Sequence, residues 1–210
     1  MCVPELRRSS EDTESTRTMQ VAILQGGDRK NTRLLDAAIA ADEGLKPFDE
    51  SVKDLLDAIE LIERKAWDKA SGWGDQLKHI ASKPNVYVFV LLGPESRGDN
   101  DGDSSPVVVD ESPVVVAYAI VAVNALHSQL QKLFTLSAWR GRGWATRLVR
   151  IVCRCVRTLK GRGHEVTLFV ASGNVAAISV YRRCGFVQES VAKDYYRLGS
   201  DALRMRHVLA

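Results

Sequence analysis

Residues 140–145 read Arg-Gly-Arg-Gly-Trp-Ala, set between a strand-like run, Gln129-Leu-Gln-Lys-Leu-Phe-Thr-Leu136, and a helical pattern that extends to about residue 160. Strand, glycine-rich turn and helix in that order leave the first backbone N–H groups of the helix unpaired, at the positive end of its dipole. Such a terminus is a ready anion site. Gly141 and Gly143 let the backbone approach a ligand without a Cβ in the way. Arg140 and Arg142 add charge-assisted donors suited to phosphate oxygens. The turn is therefore read as a cradle for a nucleotide-like pyrophosphate.

A second motif lies about thirty residues downstream: Val166-Thr-Leu-Phe-Val170, Ala171-Ser-Gly-Asn174, then Val175-Ala-Ala-Ile-Ser-Val-Tyr-Arg-Arg-Cys-Gly-Phe186. Its first piece, apolar and β-branched, has the length of a buried strand. Asn174 stands where a helix N-cap belongs, and Gly185 where a glycine ends a helix. Asn174, Ile178 and Tyr181 share one helical face at i, i+4 and i+7. An amide and a phenol beside a phosphate turn suit acyl transfer. With an ordinary pKa near 10, the Tyr181 phenol is matched to protonating a leaving thiolate. A tyrosine that merely packs the helix onto a sheet reads equally well from these residues alone.

Two hundred and ten residues with 45% hydrophobic content suit one globular domain that needs no disulfides. The net charge of +3 excludes a general nucleic-acid binder, and the longest apolar runs, near 86–92 and 113–123, are strand-sized rather than membrane spans. From Arg140 to Arg162 there are eight Lys or Arg and no acid, whereas Glu95 to Glu111 holds six acids and one Arg. Arg147, Arg150, Arg154 and Arg157 fall at helical spacing and read as a solvated face. Cys2, Cys153, Cys155 and Cys184 show neither zinc nor disulfide spacing, and Cys153 and Cys155, two apart on a helix, are expected to point different ways. Reduced thiols and a polar residue 1–18 segment without an apolar core argue for a cytoplasmic chain; nuclear and organellar locations stay open.

Along the chain, residues 1–18 read as a disordered tail and 19–210 as a single domain. Strands are expected at 19–24, 86–92, 112–123, 128–136 and 165–170, with a closing hairpin of 187–195 and 201–208. Helices are expected at 31–41, 50–69 (with Ser51 and Asp54 as a capping box), 143–160 and 174–184, and a helical turn or two before Pro84. The Gly-, Asp- and Ser-rich stretch 93–112 reads as a flexible acidic loop. Ser-Pro-Val-Val-Val occurs twice, at 105–109 and 112–116, and only the second copy continues into an apolar run. The order implies a mixed α/β sheet, mostly antiparallel and flanked by helices.

Arg-Gly-Arg-Gly-Trp-Ala resembles the Arg/Gln-x-x-Gly-x-Gly/Ala acetyl-CoA signature of the GNAT acetyltransferase superfamily. The Ser172-Gly-Asn-x-x-Ala-x-x-x-Tyr-x-x-x-Gly-Phe186 stretch is similar to that superfamily's following strand and helix, at the expected distance. The ending Lys193-Asp-Tyr-Tyr-Arg-Leu-Gly-Ser-Asp-Ala-Leu-Arg-Met205 resembles one branch, the protein N-terminal acetyltransferases of the ribosomal-protein alanine type. Ile62-Glu-Arg-Lys-Ala-Trp67 and Trp73 are similar to the first helices of that branch. The resemblance covers roughly residues 50–208 and is strongest over 132–205.

The resemblance implies a GNAT-like fold and an acetyl-CoA-dependent transferase acting on an amine. It implies that the backbone of Leu133, Phe134, Thr135 and Leu136 holds the pantetheine arm, and that Arg140, Gly141, Arg142, Gly143, Trp144 and Ala145 hold the pyrophosphate. Asn174 and Tyr181 would complete the cofactor side, with Tyr181 as general acid. Trp73, Gln129, Phe169, Tyr195 and Tyr196 would line the amine side. The two positions that carry the family's customary base are Phe169, five residues before Asn174, and Gln129, eleven before Arg140; neither accepts a proton. His127, two residues earlier on the Gln129 face, has a suitable ordinary pKa near 6.5. Glu165, His164, Tyr195 and Tyr196 are further candidates.

Three readings follow. The first is a transferase for a protein N-terminal α-amine. The second is one for a small amine or a lysine side chain, and the third is a non-catalytic acyl-CoA-binding module. The partners expected are acetyl-CoA and an amine, with no nucleic acid, membrane or metal, in a monomer or weak dimer.

Overall fold

A computed structural model of the chain describes residues 19–25, 45–47, 52–66, 73, 76–93, 114–124, 127–159 and 164–209. The helix expected at 31–41, the Ser51 cap, most of the break at 71–74, the tail 1–18 and nearly all of the acidic loop lie outside these residues.

Among the described residues, eight strands form one sheet in the order β2-β1-β3-β4-β5-β6-β8-β7. They are β1 (Met19–Gln25), β2 (Leu45–Pro47), β3 (Val86–Gly93), β4 (Val114–Val123), β5 (Ser128–Thr135), β6 (Glu165–Ala171), β7 (Val187–Arg197) and β8 (Ser200–Val208). Pairing is antiparallel except for β1 with β2 and β5 with β6. The short β2 was not expected; three residues ending in a proline carry no strand pattern of their own, and only pairing with β1 makes Leu45–Pro47 a strand.

The centre of the sheet follows from composition. Val86-Tyr-Val-Phe-Val-Leu-Leu-Gly93 and Val114-Val-Val-Ala-Tyr-Ala-Ile-Val-Ala-Val123 are apolar on both sides, and all of β3 and nearly all of β4 are buried. Continuous apolar strands require a cover on each face. Helix α1 (Val52–Ala66) and the short α2 (Leu77–Ala81) supply one cover, packing Leu55, Ile59, Ile62 and Leu77 against Val88, Val90, Tyr118 and Ile120. Helices α3 (Trp144–Thr158) and α4 (Val175–Arg183) supply the other. Leu148, Ile151, Val152, Cys155, Val156 and Leu159 recur at helical spacing on α3 and join Tyr87, Phe89, Ala119 and Val121 in the second core. Cys153 is buried together with Cys155, so the two do not point to core and surface in turn. Its burial between sheet and α4 pushes its thiol up to about 12, so the free thiol stays protonated and unreactive at neutral pH.

The closing hairpin is longer than its sequence suggests, with only Leu198 and Gly199 outside the strands. Its register jumps from Ala192↔Ala202 to Arg197↔Ser200, so residues 193–196 bulge opposite Asp201. Two side chains replace the lost ladder bonds: Asp194 N–H donates to Asp201 Oδ1 at 3.0 Å, and Gly199 N–H donates to Asp194 Oδ1. Asp194 takes a left-handed φ of 53° to allow this, which Asp tolerates better than most residues. Among the described residues no helix is long and apolar enough to cross a membrane.

Candidate active site

The site opens where β5 and β6 part. These parallel strands pair only through Ser128↔Val166, Gln129↔Thr167 and Leu130↔Leu168. β5 runs on through Thr135 and β6 through Ala171 without meeting again. Gln131 is unmatched on the β4 side, where the register slips between Ile120 and Val121. This bulge turns the outer half of β5 away from β6. Leu133, Phe134 and Thr135 therefore keep β4 on one edge and are not paired with β6 on the other. Leu136 follows, its N–H donating to Val116 O at 3.0 Å. A free strand edge in a cleft is a place for an extended amide-bearing arm to add as a strand.

The glycine turn closes one end of this edge. A 3₁₀ turn (Ser137–Trp139) leads into Arg140, and Gly141 and Gly143 adopt φ of 75° and 83°. A Cβ added to either glycine would meet nothing within 4 Å, so both Cα atoms face open space. Gly143 is the N-cap of α3; no side chain caps it and its first turn holds no acid. The N-terminal N–H groups are thus left to a ligand. Arg140 is exposed; its Nε donates to Thr135 O at 3.0 Å, and its guanidinium carbon lies 5.7 Å from the Phe134 ring. Arg142 lies 5.4 Å from the Trp139 ring, and Arg147 lies 5.7 Å from that of Trp144. Thr135 Oγ1 and Trp144 Nε1 are buried without a hydrogen-bond partner. Among the described residues these two atoms have no partner, and their places on either side of the turn suit a polar ligand. These residues fit a CoA-like pyrophosphate and arm.

Tyr181 is carried by α4. The helix begins at Asn174, whose side chain accepts from Ala177 N–H at 3.1 Å, and ends in a Schellman pattern. There Phe186 N–H donates to Tyr181 O, Gly185 N–H donates to Arg182 O, and Gly185 takes φ 88°. With both ends fixed, the buried Tyr181 ring is held 5.8 Å from Phe186. Burial, with Tyr196 and Cys184 nearby, drives the phenol well above the usual tyrosine range. The group stays protonated at any working pH and is available as a donor, but burial removes the match to a thiol's pKa that an ordinary phenol offers.

An aromatic cluster forms between β6 and the closing hairpin. Phe169 stacks on Tyr195 with centroids 4.5 Å apart, and Tyr195 meets Tyr196 edge-on at 4.9 Å. The Tyr196 hydroxyl donates a long 3.5 Å bond to Phe169 O, and burial raises its pKa. Trp73, Gln129 and Gln131 line a cavity of about 360 Å³ with Lys83, Asn85 and Asn124.

Of the groups named as proton acceptors, Tyr195 and Tyr196 stand beside Phe169, whereas His127, Glu165 and His164 are not gathered with them. His127 is exposed at the start of β5, three residues before the strands part, which is roughly 10 Å along a strand. Glu165 is paired with Arg206 at 3.2 Å, and His164 lies exposed one residue before β6. One group escaped the sequence reading: Glu63 is fully buried and accepts from the Tyr118 hydroxyl, from Lys132 Nζ, and from Trp73 N–H at 3.0 Å. The signal was an acid four residues after Ile59 on the apolar stripe of α1, and a lysine inside a buried strand.

The acetyltransferase (GNAT) family pattern matches residues 72–186, more than half of the chain. The chain is also similar to N-alpha-acetyltransferase MAK3 of Arabidopsis thaliana, 35% identical over 75 residues. That stretch is 35% of this chain and 38% of the relative. Among solved structures it resembles Arabidopsis thaliana NAA60 in complex with a bisubstrate analogue, with TM-score 0.57 and 15% identity, over 74% of this chain and 94% of that one. It also resembles the ribosomal-protein-S18-alanine N-acetyltransferase of Escherichia coli, with TM-score 0.56 and 20% identity, over 78% and 92%. These two likenesses are of fold. With the parted strands, the glycine turn and the family pattern falling on the same residues, the chain belongs to the acetyltransferase (GNAT) family.

Proposed function

We propose that the protein is an acetyl-CoA-dependent N-acetyltransferase whose acceptor is the α-amine of a protein N-terminus. The observation that carries this reading is the cleft between β5 and β6, with a phosphate-type turn at one side and an aromatic wall at the other. The stretch 35% identical to an N-alpha-acetyltransferase supports the choice of acceptor. So does the bulged hairpin carrying Tyr195 and Tyr196, which gives a peptide apolar faces to lie against.

Acetyl-CoA supplies an activated thioester whose acetyl group passes to the amine. The chain's own residues bind, align and move protons. Arg140, Arg142 and the N-terminal N–H groups of α3 neutralise phosphate. The outer half of β5, from Leu133 to Leu136, holds the arm in extended form, and the N–H groups of Leu133 and Thr135 stabilise negative charge developing on the carbonyl oxygen. Tyr181, kept neutral by burial, donates its proton to the departing sulfur. Phe169, Tyr195, Tyr196 and Trp73 orient the acceptor and exclude water. Neither Phe169 nor Gln129 takes the amine proton. His127 lies outside the parted strands, so the amine proton passes to solvent, and orientation of the reactants carries the larger share of the rate.

The test is thiol release from acetyl-CoA with three acceptor sets: peptides with free N-termini, polyamines, and lysine peptides with blocked N-termini. Turnover confined to the first set is expected. Preference for either of the others overturns the choice of acceptor, and tight CoA binding without turnover on any set makes the protein a binding module.

A further inference from the structure

The buried Glu63 cluster joins the two sides of the cleft. Glu63 leaves α1 three residues before its end, at zero exposure, yet it is surrounded by donors. Tyr118 on β4 donates to Oε1, while Lys132 Nζ on β5 and Trp73 N–H both donate to Oε2. Lys132 is itself buried, and its Nζ lies 4.7 Å from the centroid of the Trp73 ring. Burial lowers the lysine pKa, and the hydrogen bond and charge of Glu63 oppose that shift. Buried ion pairs of this kind are weak sources of stability compared with an apolar filling, so their retention points to a positional role.

The placement indicates what is held. Lys132 follows Gln131, the residue at which β5 bulges, and so begins the free half of the strand that carries the donor edge. Trp73 follows α1 and lines the cavity beside Gln129 and Gln131. One carboxylate thus ties the backbone and, through the ammonium, the ring of the acceptor wall to the donor strand.

We propose that Glu63 is a positioning residue that fixes Trp73 against Lys132 and thereby sets the acceptor wall at its working distance from the free edge of β5. This rests on the acetyl-transfer reading above. Without the carboxylate, Trp73 N–H loses its partner and the ring its cation, and the wall drifts. The glycine turn, which binds the phosphates, is untouched.

The experiment compares Glu63→Leu and the double variant Glu63→Leu/Lys132→Met with the parent, using whichever amine the parent acetylates. The double variant also removes the buried ammonium, so it is the one read should the single variant not fold. Calorimetry with CoA counts the folded sites. The expected result is an acceptor KM raised tenfold or more in both variants, with CoA affinity within twofold of the parent. An acceptor KM within twofold of the parent in either variant, at full CoA stoichiometry, overturns the proposal and leaves Glu63 a purely structural ion. CoA affinity lost in parallel with acceptor KM also overturns it, because the cluster would then be supporting the whole cleft. A parent that acetylates no amine sinks the acetyl-transfer reading, and this inference with it.

Discussion

Phe169 and Tyr195 stack face to face, their ring centroids 4.5 Å apart and their planes 10° from parallel. The position on β6 where the family resemblance leads one to look for a base is therefore one half of an aromatic wall. Tyr195 gets there because the bulge at 193–196 offsets β7 from β8. Its partner Tyr196 is turned edge-on within the same four residues.

Truncating this wall should weaken acceptor use and leave CoA alone. A stacked pair contributes about 0.5–1.5 kcal/mol beyond its buried area. Tyr195→Ala should raise acceptor KM roughly two- to tenfold, with CoA affinity unchanged by calorimetry. An unaltered KM would mean that the acceptor does not touch the hairpin.

The glycine turn makes a sharper prediction. Gly143→Asp adds a side chain and a negative charge at the N-cap of α3, where the Cα faces open space at φ 83°. CoA affinity should fall at least tenfold, about 1.4 kcal/mol. Gly199→Asp imposes the same kind of backbone strain at φ 77° on the hairpin and should leave CoA affinity as it was. Equal losses in the two variants would assign the effect to strain alone.

Tyr181→Phe keeps the packing against Phe186 and removes the hydroxyl. As general acid the phenol should contribute about 10²–10⁴-fold to kcat. A kcat within about threefold of the parent, under ~1 kcal/mol of barrier, would make Tyr181 a packing residue. The raised pKa adds a stability signature. In the unfolded chain the phenol ionises near pH 10, whereas in the folded chain it holds its proton. The stabilisation is complete below that pH and is lost as pH climbs above it. Parent stability should therefore fall more steeply above pH 10 than that of Tyr181→Phe.

The connection between β3 and β4 should tolerate shortening. The strands stay paired out to Gly93↔Val114, so the ends of the segment 94–113 are already neighbours. Deleting residues 95–110 leaves four residues to close a hairpin, an ordinary length. Soluble protein with parental turnover is expected. Insoluble protein would show that the first Ser-Pro-Val-Val-Val copy belongs to the fold.

Local pattern alone determined much of this chain. The helical stripe on α3, the Asn174 cap and the Gly185 terminus, and the apolar strands β3 and β4 are readable because propensity, capping and periodicity act within a few residues. The glycine turn was equally legible, since positive φ beside a helix start is written in glycine itself. What tertiary structure decided was every relation between distant segments. The parting of β5 from β6 depends on a bulge that exists only opposite β4, and β2 is a strand only because β1 lies beside it. Glu63 reads as a misplaced acid on an apolar stripe until Tyr118, Lys132 and Trp73, from 10 to 69 residues away, converge on it. A buried charge is tolerable only where donors meet it, and the meeting point of three chain segments is a property of the fold.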